Sequence, residues 1–547
     1  MWIRGVNIAG WLFADRMVTP YLFALNSCQI EGEFCFYPNQ LSAPDPKSVH
    51  HKYCDLFFCK PHLIDGDYPT DEESLLRSFT NKAIAKEYMT HHWEHFITKE
   101  DVKFLADAGV EYVKISIPHY AMNNIADTEP FVDGQWMYFI RFVGWARQHG
   151  IKVWIDMHTT LGTQSEFEIL TGDLAESSTC QHWISDPEKV KRSIKSIQDM
   201  AQSVMNDNLR DVVTGFGILS EPFSNCPAEK TKKYSNEALT AVREIMGYDT
   251  AVYMSDSSNA ASLNDGWWTD AGVHDNTFID SHYYHVFSQQ ERALSPKQHI
   301  AYTCAKLARD TASCCYENSP KNTKVAGGVS RIVGEWSAGY DILPTEMTSK
   351  IMEAVRDPKI HKAILMDRTL SKERKEFLEN HVKAQMVAYE SVDTGVSSGW
   401  FFWTLKTEGG AFAEWDYMRG ITEGWIPKMI SNVTASTSVY GSCDSIVADT
   451  KDSMSIVKPF PDPKETESGL GTPIDDDFVL SRGKTKLKSI KTSTRGKTSG
   501  GIDYDKEKSG GFHWFRFFAL CFFSYGIWSV FLKNRYRFGG QNSYSHY

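Results

Sequence analysis

The chain has 547 residues, 42% of them hydrophobic and 23% charged, with a formal net charge of −11. That length is enough for a large buried core, and the acidic balance argues against a nucleic-acid partner, because phosphate binding needs a surplus of cations. An uncharged substrate fits better. The aromatic share is 13%, with 16 Trp and 24 Tyr. Such rings serve ordinary cores, and they also stack on the C–H faces of sugars.

Residues 4–8, Arg-Gly-Val-Asn-Ile, form the first strand-like stretch, and no basic region and apolar core of a signal peptide precedes it. Residues 27–90 read as a long loop rich in Pro, Cys, His and Asp, with Cys28, Cys35, Cys54 and Cys59 as staples of a disulfide-rich insertion. No CxxC pair is matched by a second, which disfavours zinc. The odd total of 11 cysteines is accounted for if Cys521 stays unpaired. His91 and His95 have helical i, i+4 spacing but no third ligand to complete a metal site.

Helix and strand then alternate. Helices are expected over 99–108, 135–148, 187–205 and 236–246, the second stopped by Gly150. Strands are expected over 111–117, 151–158, 212–219, 250–254, 277–283, 329–335 and 399–403. With residues 4–8 there are eight, and eight strands alternating with helices predict an α/β (β/α)₈ TIM barrel. No Gly-rich phosphate loop follows any strand, against a nucleotide fold.

The expected domains are a barrel over residues 1–447, a flexible Ser/Thr/Lys-rich linker over 448–513, an apolar segment over 514–532 and a short basic tail over 533–547. Nineteen residues with aromatic ends are just long enough to span a bilayer as a single transmembrane helix, an interfacial helix being the alternative.

Two glutamates close apolar strands: Glu221 in Gly217-Ile218-Leu219-Ser220-Glu221-Pro222, and Glu335 in Val333-Gly334-Glu335-Trp336. Strand C-termini build the active face of this barrel, so both carboxylates are expected in one cavity. A lone Glu at a strand end is most often solvated, whereas a pair suits double displacement, one carboxylate attacking the anomeric carbon and the other protonating the leaving oxygen.

Seven stretches in order carry a resemblance: residues 4–12 with Thr19-Pro20 and Leu22-Phe23; His92-Trp93 with 96–98; 154–158; Ser220-Glu221-Pro222; 280–288; 333–338; and 399–403 with Lys406-Thr407-Glu408. Over about residues 2–445 the chain resembles glycoside hydrolase family 5, within it the fungal exo-β-1,3-glucanase branch. The resemblance implies Glu221 as acid/base and Glu335 as nucleophile. It also implies a pocket lined by His158, His282 and Tyr284, floored by Trp403, with Phe167 and Phe287 gripping the next glucose. Cys304 and Cys443 match a disulfide of that branch, which implies an oxidising compartment, and the Asn432-Val433-Thr434 sequon agrees.

Three positions depart from the family. Ser220 replaces the Asn that bonds the sugar 2-hydroxyl, Lys114 replaces an Arg supporting the nucleophile, and Asp15 replaces a longer Glu that grips sugar. The expected function is a retaining hydrolase removing terminal β-linked glucose from β-1,3-glucan or a related β-glucoside, without metal or cofactor, as a membrane-anchored monomer. Its barrel is expected outside the cell or in the lumen, or in the cytosol if the chain is tail-anchored. The alternatives are a catalytically weakened glycan-binding relative or a transglycosylase.

Overall fold

A computed structural model of the protein describes residues 2–23, 69–79, 81–161, 181–222, 226–256, 276–313, 329–344, 348, 370–390, 398–410 and 412–451. Eight parallel strands close into one barrel: β1 (Ile3–Ile8), β2 (Tyr112–Ile117), β3 (Lys152–Met157), β4 (Val213–Gly217), β5 (Ala251–Ser255), β6 (Thr277–Tyr283), β7 (Val329–Trp336) and β8 (Gly399–Phe402). β8 returns to β1, pairing Gly399 with Ile3 and Phe402 with Val6.

The two-residue period of a strand sorts the side chains. Val113, Ile115 and Ile117 of β2, and Val153, Ile155 and Met157 of β3, face outward into the core beneath the helices. The alternate positions turn into the barrel, where Trp154, Tyr253, Phe278 and Phe401 form an aromatic plug with Ile332 among them. β4 makes room for it: a Cβ at Gly215 would stand 2.3 Å from the Trp154 ring, and one at Gly217 the same distance from Tyr253. Above the plug, the same faces continue as Lys114, Asp156 and Asp280, all buried. Period two therefore carries polar side chains from the closed bottom of the barrel towards its mouth.

Helices cover the outside. Pro187–Asn206 starts at Asp186, whose carboxylate accepts from the Glu188 and Lys189 amides, and it buries Ile197, Met200, Ala201 and Val204. Of these, Ile197, Met200 and Val204 each contribute about 1.5–3 kcal/mol when removed from water. Gln135–His149 ends at Gly150, whose φ of 71° is the left-handed cap conformation glycine adopts freely.

The expected barrel is present, and its outer layer is larger than the sequence periodicity indicates. Within the stretch read as loop lies a helix, Lys82–His95, capped by Asn81. Its buried face includes His91, His92 and Trp93, so polar residue types hide its apolar period. Ala228–Met246 begins eight residues before the expected start, and Pro296–Ser313 and Lys372–Tyr389 complete the layer. Lys372–Tyr389 is buried over most of its last three turns, so it lacks the polar stripe that makes a surface helix legible.

Cys304 and Cys443 form a disulfide, with Cα atoms 6.0 Å apart across 139 residues, tying Pro296–Ser313 to the helix Cys443–Asp449. Cys226 is also disulfide-bonded. Cys443–Asp449 carries the fold two residues past the expected boundary at 447. The bottom of the barrel is latched by Arg4, whose guanidinium binds both Glu390 oxygens and the carbonyls of Ile430, Ser431 and Thr434. Among the described residues no helix is long and apolar enough to cross a membrane. The segment 514–532, the tail 533–547, the linker beyond 451, the cysteines of 28–59 and Phe167 lie outside the described residues.

Candidate active site

The barrel mouth gathers Glu221, His282, Tyr284, Glu335, His158 and Trp403. Glu335 reaches it through an irregularity in β7. Ser281 pairs with Val333 and the next residue, His282, pairs with Glu335, so Gly334 is an extra residue on that strand. Ile332 belongs to the inner plug and Val333 to the outer core. Strict alternation would then point Gly334 inward and Glu335 outward, and the bulge re-aims Glu335 into the cleft. Asn7 of β1 steadies the bulge by donating Nδ2 to the Gly334 carbonyl at 2.9 Å.

Glu221 follows β4 with a φ of 40°, a left-handed conformation that costs a non-glycine residue about 1 kcal/mol or more. An oxygen of Glu221 lies within 4.8 Å of one of Glu335. His282 stands between them: Nδ1 is 2.6 Å from Glu221 Oε1 and 3.3 Å from Glu335 Oε2, and Nε2 is 3.3 Å from Asp280 Oδ2. Tyr284 donates its hydroxyl to Glu335 Oε2 at 2.9 Å. Beneath the pair, Lys114 Nζ lies 3.4 Å from Glu335 Oε1, 3.4 Å from Asp280 Oδ2 and 3.8 Å from Asp156 Oδ1. His158 contacts Asp156 Oδ2 through Nδ1 at 2.9 Å and stacks on Trp403 with ring centres 5.6 Å apart.

These contacts set the charges. Burial raises the Glu335 carboxyl above its ordinary range, against the opposing pull of His282 and Lys114. Burial would raise Glu221 too, but the hydrogen bond and charge of His282 outweigh it and hold that carboxyl low. His282 is disfavoured as a cation by burial, yet the carboxylates of Glu335 and Asp280 raise it well above a free imidazole. Lys114 is likewise raised, burial being overcome by Asp156, Asp280 and Glu335. In Asp156 the same pairing, joined by His158, overcomes burial and brings the carboxyl down to about 2. The site is thus a network of ion pairs. Glu221, His282 and Glu335, and separately Asp156, His158 and Glu335, bring possible metal donors together. Lys114 already supplies cationic charge at Glu335, so the arrangement matches an ion-pair network better than a metal centre.

The sequence-derived residues fall into place unevenly. Asp15 is buried in the loop after β1 and accepts from the Met17 amide, and burial raises it to about 6. Ser220 is buried beside Glu221, its amide donating to the Met157 carbonyl. Phe287 is 41% exposed and meets Tyr284 edge-on, with ring centres 5.5 Å apart. Tyr284 also stacks on Trp415 at 5.1 Å. Asn432 lies away from this cleft, its side-chain amide donating to Glu111. His91 and His95 stack their rings at 4.1 Å at the end of the helix Lys82–His95.

The model of cellulase, glycosyl hydrolase family 5, matches residues 77–364. The chain belongs to glycosyl hydrolase family 5. As a member of that family it is a glycosidase, and curated relatives place its similarity among fungal enzymes. It is 28% identical over 449 residues to glucan 1,3-beta-glucosidase of Yarrowia lipolytica, covering 78% of this chain and 88% of the relative. It is 26% identical over 443 residues to the Lachancea kluyveri enzyme of the same name, covering 79% and 87%. Among solved structures, rutinosidase from Aspergillus niger shares the fold, with a TM-score of 0.51 and 15% identity over 78% of this chain and 97% of that one.

Within this family 5 site, Asn7, Asp156, Tyr253 and Asp280 have no role assigned from the sequence, although the first, second and fourth lie in the stretches that carry the resemblance. The available signal was alternation: Trp154 and Asp156 share one face of β3, with His158 just beyond its end in the same period, and Phe278, Asp280 and His282 share one face of β6. A charged residue two before a pocket histidine was readable as facing the same interior.

Proposed function

We propose that the protein is a retaining β-glucosidase of the exo-β-1,3-glucanase type, with Glu335 as nucleophile and Glu221 as acid/base. The observation that carries this is the close approach of the two carboxylates, within 4.8 Å at their nearest donor atoms. Double displacement uses carboxyl groups about 5–5.5 Å apart, whereas inversion needs about 6.5–9.5 Å to admit a water between acid and base. Lys114 and Tyr284 both touch Glu335. They favour its anionic form and fix its direction, as a nucleophile requires.

His158, Trp403 and Tyr284 offer the walls for one terminal glucose, and exposed Phe287 offers a ring at the mouth for the next unit. Phe167 is its proposed companion. Asp15 and Ser220 are the proposed contacts to the sugar hydroxyls, and their short side chains are what a weakened, glycan-binding relative or a transglycosylase would also carry. Relatives named glucan 1,3-beta-glucosidases support a terminal β-1,3-linked glucose as substrate.

A 2-deoxy-2-fluoro-β-glucoside with a good leaving group tests the reading. Peptide mass mapping is expected to find the sugar esterified to Glu335, and hydrolysis of aryl β-glucosides and laminari-oligosaccharides is expected to vanish in Glu335→Gln. Unchanged hydrolysis in that variant sinks the assignment.

We further propose that residues 514–532 anchor the protein in a membrane with the barrel outside or in the lumen. The apolar run with Lys533, Arg535 and Arg537 beyond it supports this, as do the Cys304–Cys443 disulfide and the Asn432 sequon. The full chain is expected to resist alkaline carbonate extraction, and a chain ending at 513 to be released. Free thiols at Cys304 and Cys443 in native membranes would refute the lumenal placement.

A further inference from the structure

Asp280 lies on β6 two residues before His282, facing the same interior, and is 3% exposed. Its Oδ2 receives Lys114 Nζ at 3.4 Å and His282 Nε2 at 3.3 Å. Among the described residues, Oδ1 meets no donor. A carboxylate kept only for stability would be expected to have both oxygens satisfied, since a buried oxygen without a donor is unfavourable.

The adjoining strand is shaped around this group. A Cβ at Gly334 would stand 1.9 Å from Asp280 Oδ1 and 2.4 Å from its Cγ. Only glycine fits there while Asp280 keeps its position. The bulge residue that re-aims Glu335 therefore also opens the slot for Asp280.

His282 is approached by carboxylates on both ring nitrogens, Glu221 at 2.6 Å on Nδ1 and Asp280 at 3.3 Å on Nε2. A neutral imidazole has one N–H and would turn a lone pair towards one of them, whereas the doubly protonated ring donates to both. The network poses a problem for the acid step, because it leaves Glu221 without the proton it must deliver. The nearest proton is on His282.

We propose that Asp280 is a positioning residue for glycosidic-bond cleavage: from the slot left by Gly334 it holds doubly protonated His282 against Glu221, so that the imidazole stores the proton of the acid step. This rests on the reading of Glu221 as acid/base and Glu335 as nucleophile. As the glycoside displaces water from the cleft, the Nδ1 proton moves to Glu221 Oε1, giving a carboxylic acid and a neutral ring. Glu221 passes that proton to the leaving oxygen as its bond to the anomeric carbon breaks and a Glu335 oxygen bonds to the same carbon. In the second half, water attacks the anomeric carbon, the Glu335 ester bond breaks, and Glu221 takes the water proton and returns it to Nδ1. No proton is gained or lost over the cycle.

The groups around His282 are Glu221 after β4, Glu335 on β7, Asp280 on its own strand and Tyr284 just beyond, with Lys114 from β2, Asp156 and His158 from β3 and Tyr253 from β5 completing the inner ring. Of the three carboxylates in direct contact, Asp280 alone has no proposed bond-making or proton-transfer part. It can therefore be neutralised with both reacting carboxyls intact. The raised proton affinity of His282, driven against burial by Glu335 and then Asp280, agrees with this arrangement.

The test uses full-length protein labelled with ¹⁵N-histidine, following the His282 ring by NMR against pH, together with pH profiles of kcat/KM on an aryl β-glucoside. In Asp280→Asn the His282 midpoint is expected to fall by about one pH unit or more, and the basic limb of kcat/KM to move down with it. Gly334→Ala, which displaces Asp280 without removing it, is expected to shift both in the same direction. An unmoved His282 midpoint in Asp280→Asn overturns the proposal, and so does a moved midpoint with an unmoved basic limb. Wild-type protein that hydrolyses no β-glucoside while its His282 midpoint responds to Asp280 would instead refute the acid/base reading on which the proposal rests.

Discussion

Lys114→Met is the most direct probe of the ion-pair network. The lysine is 1% exposed, and its ammonium lies 3.4 Å from Glu335, 3.4 Å from Asp280 and 3.8 Å from Asp156. Methionine roughly keeps the volume and removes the charge. At an effective dielectric near 20, one pair at that range attracts by about 5 kcal/mol, but desolvation offsets much of this, and breaking a buried pair costs about 3–5 kcal/mol net. With an unfolding entropy of about 2 cal/mol/K per residue over roughly 450 folded residues, Tm should fall by about 3–5 °C at neutral pH. Asp156 fixes the pH window. Its carboxyl is held at about 2 in the fold against an ordinary 3.8, so its pairing stabilises above that ordinary value and is lost as pH falls towards 2. The gap between variant and wild type should narrow in the same direction.

Activity gives a sharper reading. Burial already raises Glu335, and Lys114 is one of the charges opposing it. Without that charge the nucleophile stays protonated to higher pH, so the acid limb of kcat/KM should move up by about 1–3 units. Lys114→Arg keeps the charge and should leave that limb near its wild-type place. A Lys114→Met protein with an unchanged acid limb and a Tm within about 1 °C of wild type would refute the network argument.

Asp15 yields a prediction of opposite sign. Burial raises its carboxyl to about 6 from an ordinary 3.8, so between those values the folded state holds more protons and stability falls as pH rises. Asp15→Asn should therefore stabilise the protein by about 2–3 kcal/mol at pH 7.5, with little gain at pH 4, while activity falls if the carboxylate grips the sugar; thermal melts at both pH values check this. At Ser220, the short hydroxyl replaces an amide expected to strengthen its bond to the sugar 2-hydroxyl in the transition state. Ser220→Asn should raise kcat/KM on an aryl β-glucoside by about 10- to 100-fold and leave the 2-deoxyglucoside unaffected, and equal gains on both substrates would refute the role.

The barrel was legible because all eight of its strands lie inside or within a residue of the stretches that alternation and β-branched runs pick out, and the two key glutamates stand at the ends of such runs. The helices were less so. Lys82–His95 hides its buried face behind histidines, and Lys372–Tyr389 is buried too completely to show a polar stripe. His158, His282 and Tyr284 were found by resemblance. Their anchors Asp156 and Asp280 were missed because a carboxylate in a strand looks like a surface residue until both faces of that strand are known to be covered. A closed barrel covers both, so an acidic residue on its inner face needs cationic partners, and Lys114 is shared by the two, with His158 beside Asp156 and His282 beside Asp280.

The irregular register of β7 joins these observations. Alternation predicts that the inward position after Ile332 is 334, and a side chain there would collide with Asp280. Glycine removes the collision, and the bulge at the same residue turns Glu335 inward, where it meets His282, Tyr284 and Lys114. Restoring regular pairing would send Glu335 to the outer face and put residue 334 into the space Asp280 occupies. Nucleophile orientation and the charge surrounding His282 thus depend on one backbone feature, with Asn7 fastening it from β1. Adding a Cβ at 334 should disturb the acid and the nucleophile together, whereas Asp280→Asn should disturb the acid step while leaving Glu335 in place. The difference between those two variants measures how far the bulge serves each carboxylate.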